Sequence, residues 1–459
     1  MFFCPIVAIG QKDVGTSAEQ VNERAIELLS KKDYDQAVST LTKAMQEYPN
    51  YAESYFNMGF AYYCMNKYDD ALGWYMKAIE VDSNYANAYV NIGLINNHKK
   101  QYAKAIEWCT KALSIDNKMA NAYTNMGVAY SNMGKSREAI ANYEKSLELD
   151  SSSAITYCNL GNVYNNIGKY REGIACLKKA VELYPQYASA LYSLGLAHAK
   201  IDLPEDAIRY YEKALEADSR LITVYNDIGN AYVSMGEYKK AIESFRQSIV
   251  KAPKYADAYY NLGMLYYERH SYDSAALWFK RTTLIDENNA QAEYACGIAH
   301  YMKGEKKEAM EWYKKAVGSN PKHATALNSI GYLYYEEKDY PKAVEYYRKS
   351  IDASPKYTDA YNNLAAAYIR MNKTAEAIET YSTATKLAPN RADTHYNLGV
   401  AYYLNGDKNA AIRELEKAIE LKPNYTEALH NLGIIYEKIG DTAKAQMYRD
   451  KADKAEFGF

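Results

Sequence analysis

Residues 52–85 read AESYFNMGFAYYCMNKYDDALGWYMKAIEVDSNY, and residues 86–119 repeat them in phase as ANAYVNIGLINNHKKQYAKAIEWCTKALSIDNKM. Tyr55 returns as Tyr89, Asn57 as Asn91, Gly59 as Gly93, Ala71 as Ala105 and Trp74 as Trp108. Extended in both directions, the 34-residue period holds thirteen times from residue 18 to residue 459 without an insertion or deletion. Such a period means that each repeat is one supersecondary element unable to bury its apolar face alone, so neighbours must stack on it. Function is then expected on the surface the stack creates.

Counting positions 1–34 from Ala18, Ala52, Ala86 and so on, position 8 is Gly in eleven repeats, among them Gly59, Gly127 and Gly195. Glycine inside a helix costs about 1 kcal/mol relative to alanine, so a packing reason must offset it. Position 20 supplies one: it is Ala in twelve repeats and Gly173 in the other. Two small residues twelve positions apart let the helices of a hairpin approach closely. Rings at positions 11 and 24, such as Tyr62 and Tyr75, fill the space beside them. Position 15 is Gly in six repeats and Asn66 or Asn372 in two more, residues that tolerate the left-handed backbone ending a helix. Position 32 is Pro in seven repeats, for example Pro49 and Pro253, and stops the second helix. Each repeat is therefore a helix, a turn, an antiparallel helix and a second turn.

Tyr55, Met58, Gly59, Tyr62, Ala71, Tyr75 and Ala78 match the tetratricopeptide repeat signature at its spacing, with Tyr in place of the leading Trp; Pro185 and Pro321 give its final Pro elsewhere. The chain is thus identified as a member of that repeat family over residues 18–459. The resemblance implies an all-α fold, a right-handed superhelical solenoid of thirteen helix-turn-helix units with the first helices lining the concave face, and a non-enzymatic role as a protein-binding scaffold or adaptor.

Composition narrows the function. The 459 residues are 48% apolar with a net charge of −2, and no concentrated basic stripe offers nucleic acid a binding track. Tyrosine is the excess, 50 residues against 8 Phe and 4 Trp, most of it set by repeat positions that require a ring. The six cysteines never form a CxxC pair, so they read as reduced thiols rather than a disulfide or zinc framework, which favours a cytoplasmic location. Residues 1–17 lie outside the array as an N-terminal tail. Phe2 to Ile9 is apolar but too short to span a bilayer, and no basic stretch precedes it; it reads as a disordered or loosely docked tail, the alternative being a remnant of an export signal or a start codon placed too far downstream, which leaves localisation open.

Position 6 should face the groove. From the second repeat onward it reads Asn57, Asn91, Asn125, Asn159, Ser193, Asp227, Asn261, Ala295, Ser329, Asn363, Asn397 and Asn431. A carboxamide offers a donor and an acceptor together, the complement of a peptide bond, so the row is expected to grip an extended peptide. In this respect it resembles the asparagine ladder of the substrate-binding repeats of O-linked N-acetylglucosamine transferases. Asn87, Asn97, Asn121, Asn132, Asn162, Asn165 and Asn166 crowd the same face. Toward the C-terminus, positions 5, 9 and 12 turn aromatic: Tyr260, Tyr267, Tyr294, Tyr335 and Tyr396 are expected to anchor ligand side chains. Binding by two different ligands and by one long ligand both remain open.

No catalytic residue, metal site or cofactor motif is expected, since His, Cys and carboxylates never recur at ligand spacing and no phosphate-cradling glycine loop is present. The lysines and arginine by which related repeats capture acidic chaperone tails are missing too: position 5 never holds Lys and position 6 never holds Arg. Two other functions stay open. One is a substrate-recognition subunit working beside a separate glycosyltransferase. The other is self-association through the convex face, where Trp74, Trp108, Trp278 and Trp312 all fall at position 23; their alternative is packing between helices. Repeat 9 stands apart because Glu293, Ala295 and Cys296 replace the ring, amide and apolar residue expected there; it reads as a flexing point or as neutral variation.

Overall fold

The computed structural model describes residues 17–457, which form twenty-six α-helices, α1 to α26, two per repeat and with no strand among the described residues. The odd-numbered helices are the first of each repeat, such as α3 (Ala52–Cys64), and the even-numbered ones the second, such as α4 (Tyr68–Val81). The chain divides into two compact units, one ending at Met235 and the other starting at Gly236. The apolar residues 2–9 and the question of an export signal fall outside the described residues.

In the first unit, α1 to α12 make six hairpins, each packed on the next, and α13 (Val224–Ser234) packs on α12 (Pro204–Ala217). The second unit begins with α14 (Tyr238–Lys251), followed by six hairpins from α15 to α26. The last helix, α26 (Thr442–Phe457), runs two residues beyond the usual fourteen.

Position 8 has a sharper requirement than closeness to position 20. A Cβ built on Gly59 would lie 2.7 Å from the Tyr75 ring and 3.1 Å from the Ala71 carbonyl oxygen; on Gly331 it would lie 2.7 Å from Tyr347. Where position 24 is a ring, its Cδ1 and Cε1 atoms lie against the glycine of its own hairpin, and the position 20 carbonyl closes the contact. Tyr75, Tyr143, Tyr211 and Tyr347 are accordingly among the most deeply buried large side chains. The small pair and the ring are one packing unit.

The turn at position 15 is left-handed in every repeat. Six are glycines, but Lys32, Lys100, Asp202, His270 and Lys338 adopt φ of 57–64° beside the expected Asn66 and Asn372. Helix pairing dictates that dihedral whichever residue stands there, at a strain of order 1 kcal/mol where it is neither Gly nor Asn.

Repeat 9 is closed rather than open: Glu293 is 1% exposed, with Ala295 and Cys296 buried beside Phe279 and Ala299. All five described cysteines are free. Burial pushes the Cys109 thiol up to about 12 and Cys158 and Cys176 to about 11, which leaves them unreactive.

Candidate functional site

Within each unit the first helices draw together and the second helices spread. In the first unit α1 touches α3, α5 touches α7, and α9 touches both α7 and α11; in the second, α21 touches α19 and α23. Among the described residues no two second helices come into comparable contact. Helices that converge on one side and diverge on the other curve the stack, so the first helices line its inner side.

Several position 6 side chains turn toward the seam between neighbouring repeats. Asn125 Nδ2 donates to the Val90 carbonyl (3.4 Å), Asn363 Nδ2 to Asn328 Oδ1 (3.0 Å), and Asn431 Nδ2 to Tyr396 Oη (3.2 Å), each thirty-five residues back. Asp227 accepts from Tyr192 Oη at the same separation (2.9 Å), and Asn91 Nδ2 donates to Tyr75 Oη (3.1 Å). The donating carboxamides Asn91, Asn363 and Asn431 are half-buried and keep a carbonyl oxygen with acceptor capacity. Asn159, Asn261 and Asn397 are half-buried as well; Asn57 and Asn125 are buried, and Asn57 Nδ2 meets no acceptor. Position 12 adds a second seam, with Asn97 Nδ2 donating to the Asn125 carbonyl and Asn165 Nδ2 to that of Ser193.

Asparagines that reach solvent on these helices stand at positions 2, 9 and 13, Asn230 of α13 among them. Asn121, Asn132 and Asn166 are exposed, and Asn87 and Asn162 half-exposed beside them. They form the accessible polar face of α5 (Ala86–His98), α7 (Ala120–Asn132) and α9 (Ala154–Asn166).

In the second unit the five anchor tyrosines are half-buried and tied into neighbouring elements. Tyr260 lies tilted against Phe279 at 5.5 Å and accepts from Gln291; Tyr267 meets Tyr272 at 5.6 Å. Tyr294 lies between Tyr313 (5.5 Å) and His323 (5.0 Å). Tyr335 accepts from Arg370 Nε at 3.0 Å, and Tyr396 meets Tyr425 at 5.0 Å. Around them, at positions 9 and 13 of first helices, Met302, Tyr332, Leu404 and Ile434 are exposed. Of these only Tyr332 stands out in the sequence; the others become visible once the helix phase that faces inward is known.

His323 links this wall to backbone order. Its Nδ1 accepts from the Ala326 amide at 3.3 Å, capping α19 (Ala324–Glu336). Burial holds its imidazole below the ordinary value of 6.5. A base whose folded pKa is depressed contributes stability that is whole above its free pKa and declines as pH falls below about 6.5. His323→Asn retains the cap, as Asn289 does for α17 (Ala290–Met302), and removes the titration. The drop in thermal midpoint between about pH 7 and pH 5 is therefore expected to be smaller in His323→Asn than in the native chain.

The four tryptophans do not form an exposed row. Each is half-buried with a cation from its own helix on its face: Lys77 lies 4.2 Å from Trp74, Lys111 4.2 Å from Trp108, Arg281 4.6 Å from Trp278 and Lys315 4.8 Å from Trp312. Their other sides pack on Tyr55, Tyr89, Tyr259 and the cluster around Phe279. Among the described residues no three His, Cys, Asp or Glu side chains are placed to hold a metal ion, and no helix is long and apolar enough to cross a membrane.

Comparison with protein-family models agrees with the architecture. Family models described as tetratricopeptide repeat match residues 24–51, 52–85, 84–152, 152–220, 392–425 and 414–447, and one described as TPR repeat matches 229–269 and 367–406. A model of anaphase-promoting complex, cyclosome, subunit 3 matches 302–384. No curated protein matches the chain. Among solved structures, MamA protein is 30% identical over 38% of this chain and 94% of its own, with a TM-score of 0.34. Yeast Tom70 is 15% identical over 96% of both chains (TM-score 0.43). Pseudomonas aeruginosa pilF is 24% identical over 42% of this chain and 88% of its own (TM-score 0.39).

Proposed function

The chain belongs to the tetratricopeptide repeat family, an architecture that mediates protein–protein contact, and from that premise we propose that its first-helix face binds extended segments of partner proteins. The observation that carries this reading is the run of solvent-reaching carboxamides Asn121, Asn132 and Asn166 on the inner side of successive first helices. Asn121 stands in the first turn of α7, and Asn132 and Asn166 close α7 and α9, so all three carboxamides project from helix ends with donor and acceptor capacity toward solvent. In the second unit the exposed Met302, Tyr332, Leu404 and Ile434 offer seats for apolar side chains among anchored tyrosines. The half-buried position 6 amides serve this face by fixing the register of the helices that display it.

Magnitudes set the affinity. Each amide contact nets about 0.5–1.5 kcal/mol, while ordering one residue of a flexible peptide costs about 1–2 kcal/mol. Polar contacts alone barely hold such a ligand, and short peptides are expected to bind at about micromolar Kd. The test is a peptide of about a dozen residues selected on the native chain from a randomised library. The variant Asn121→Ala/Asn132→Ala/Asn166→Ala should weaken a peptide bound in the first unit roughly tenfold or more. An outer-face variant, Lys145→Ala, should leave it unchanged. Affinity untouched by the triple variant rejects the proposal.

A further inference from the structure

A second surface lies on the outer side of repeats 7 to 9, all of it within the second compact unit. Position 29 is charged in most repeats, as Glu80, Glu148, Glu182, Glu216, Asp352 and Glu420. In α14 it is Val250, 76% exposed; in α16 (Tyr272–Ile285) it is Leu284, 71% exposed; in α18 (Lys306–Ser319) it is Gly318. Leu277, two helical turns before Leu284, is 50% exposed where other repeats place Glu107, Glu311 or Arg413. Side chains i and i+7 share one helix face, so Leu277 and Leu284 form a single outward stripe. Aliphatic side chains thus stand out at the phase that solvation elsewhere reserves for charge.

The same three helices hold ten Lys and Arg against four Asp and Glu, a surplus of six in a chain whose net charge is −2. Arg246, Lys251, Lys280 and Lys314 are exposed among the aliphatic side chains. In the loops that follow, Lys254 and Lys322 balance Asp286 and Glu287. Projecting aliphatic side chains ringed by cations suit an anionic surface that is itself apolar beneath.

We propose that the outer face of α14, α16 and α18 docks reversibly on anionic lipid bilayers, with Val250, Leu277 and Leu284 entering the headgroup boundary and the basic side chains meeting lipid phosphates. A protein partner fits less well. A stable protein interface needs about 800 Å² per side with a packed core, and three separated side chains projecting from a convex face do not make one. Peripheral lipid binding needs only a few inserted side chains plus basic residues at headgroup depth. The patch shares no residue with the proposed peptide-binding face, so this proposal does not depend on peptide binding there.

The test is vesicle flotation of the full chain. Vesicles of phosphatidylcholine with about 30% phosphatidylglycerol should carry at least about fivefold more protein than phosphatidylcholine alone, and about 0.5 M salt should remove most of the difference. Val250→Asp/Leu284→Asp and Arg246→Glu/Lys280→Glu should each reduce flotation about fivefold or more, with thermal midpoints unchanged because all four positions are exposed. Equal recovery with both vesicle types, or variants that float like the native chain, overturns the proposal. So does binding of soluble polyglutamate by a chain that ignores the vesicles, which would make the patch a protein-docking surface.

Discussion

Replacing Tyr211 by alanine is expected to lower the opening free energy of the α11–α12 hairpin by about 3–5 kcal/mol, read by native-state hydrogen exchange of its amides. Tyr211 is 2% exposed, lies at 5.8 Å from Tyr192, and packs with Ala207, Ile208, Val224 and Ile228. Its ring covers Gly195 so closely that a Cβ there would clash with it. Removing the ring leaves a cavity that helix α11 (Ala188–Lys200) cannot fill, because glycine brings no side chain into it. Local exchange is the right readout, since a long repeat array need not unfold as one unit. Tyr211→Leu is the control: Leu177 and Leu415 occupy the same phase against Gly161 and Gly399, so leucine should cost under about 1.5 kcal/mol. A loss below about 1 kcal/mol for Tyr211→Ala would mean that ring and glycine do not act as one packing unit.

Glu293→Leu is expected to stabilise repeat 9 by about 1–4 kcal/mol. The carboxylate is 1% exposed; one oxygen lies 3.3 Å from Lys315 Nζ and the other, Oε2, has no partner. Lys315 is itself about half exposed, so the attraction it supplies is partly screened while the desolvation of Glu293 is not. Leucine stands at this phase as Leu191, Leu327 and Leu429, all in closed hairpins, so its volume is accommodated. Lys315→Ala should act oppositely by leaving the buried carboxylate unpaired. Equal stability of Glu293→Leu and the native chain, measured by hydrogen exchange in α17 and α18, would show that the ion pair already offsets its desolvation.

The fold was legible because its determinants are local and repeated. Gly59, Ala71 and Tyr75 stand at fixed separations in one hairpin, and sterics alone tie them together. The left-handed turn could be read at Gly134 or Asn66 but not at Lys100 or His270, where the pairing of two helices overrides residue preference. The inner face was legible only in part. Position 6 was expected to point at a ligand, yet Asn125, Asp227, Asn363 and Asn431 spend hydrogen bonds on the preceding repeat. The clue lay thirty-five residues away, in polar partners such as Tyr192, Asn328 and Tyr396 at position 5. A single repeat cannot show it, because the bond exists only once two are stacked. The tryptophans were ambiguous for a related reason: Lys77 and Lys111, three residues on, cover the faces that would otherwise be bare.

Hydrogen exchange of the full chain with and without a peptide selected to bind the first unit tests the inner-face account most directly. Added protection should concentrate in α5, α7 and α9, the helices that carry Asn87, Asn121, Asn132, Asn162 and Asn166, and should spare α6 (Tyr102–Ile115) and α8 (Ser136–Leu149). Protection centred on α6 and α8, with α7 and α9 unchanged, would contradict it.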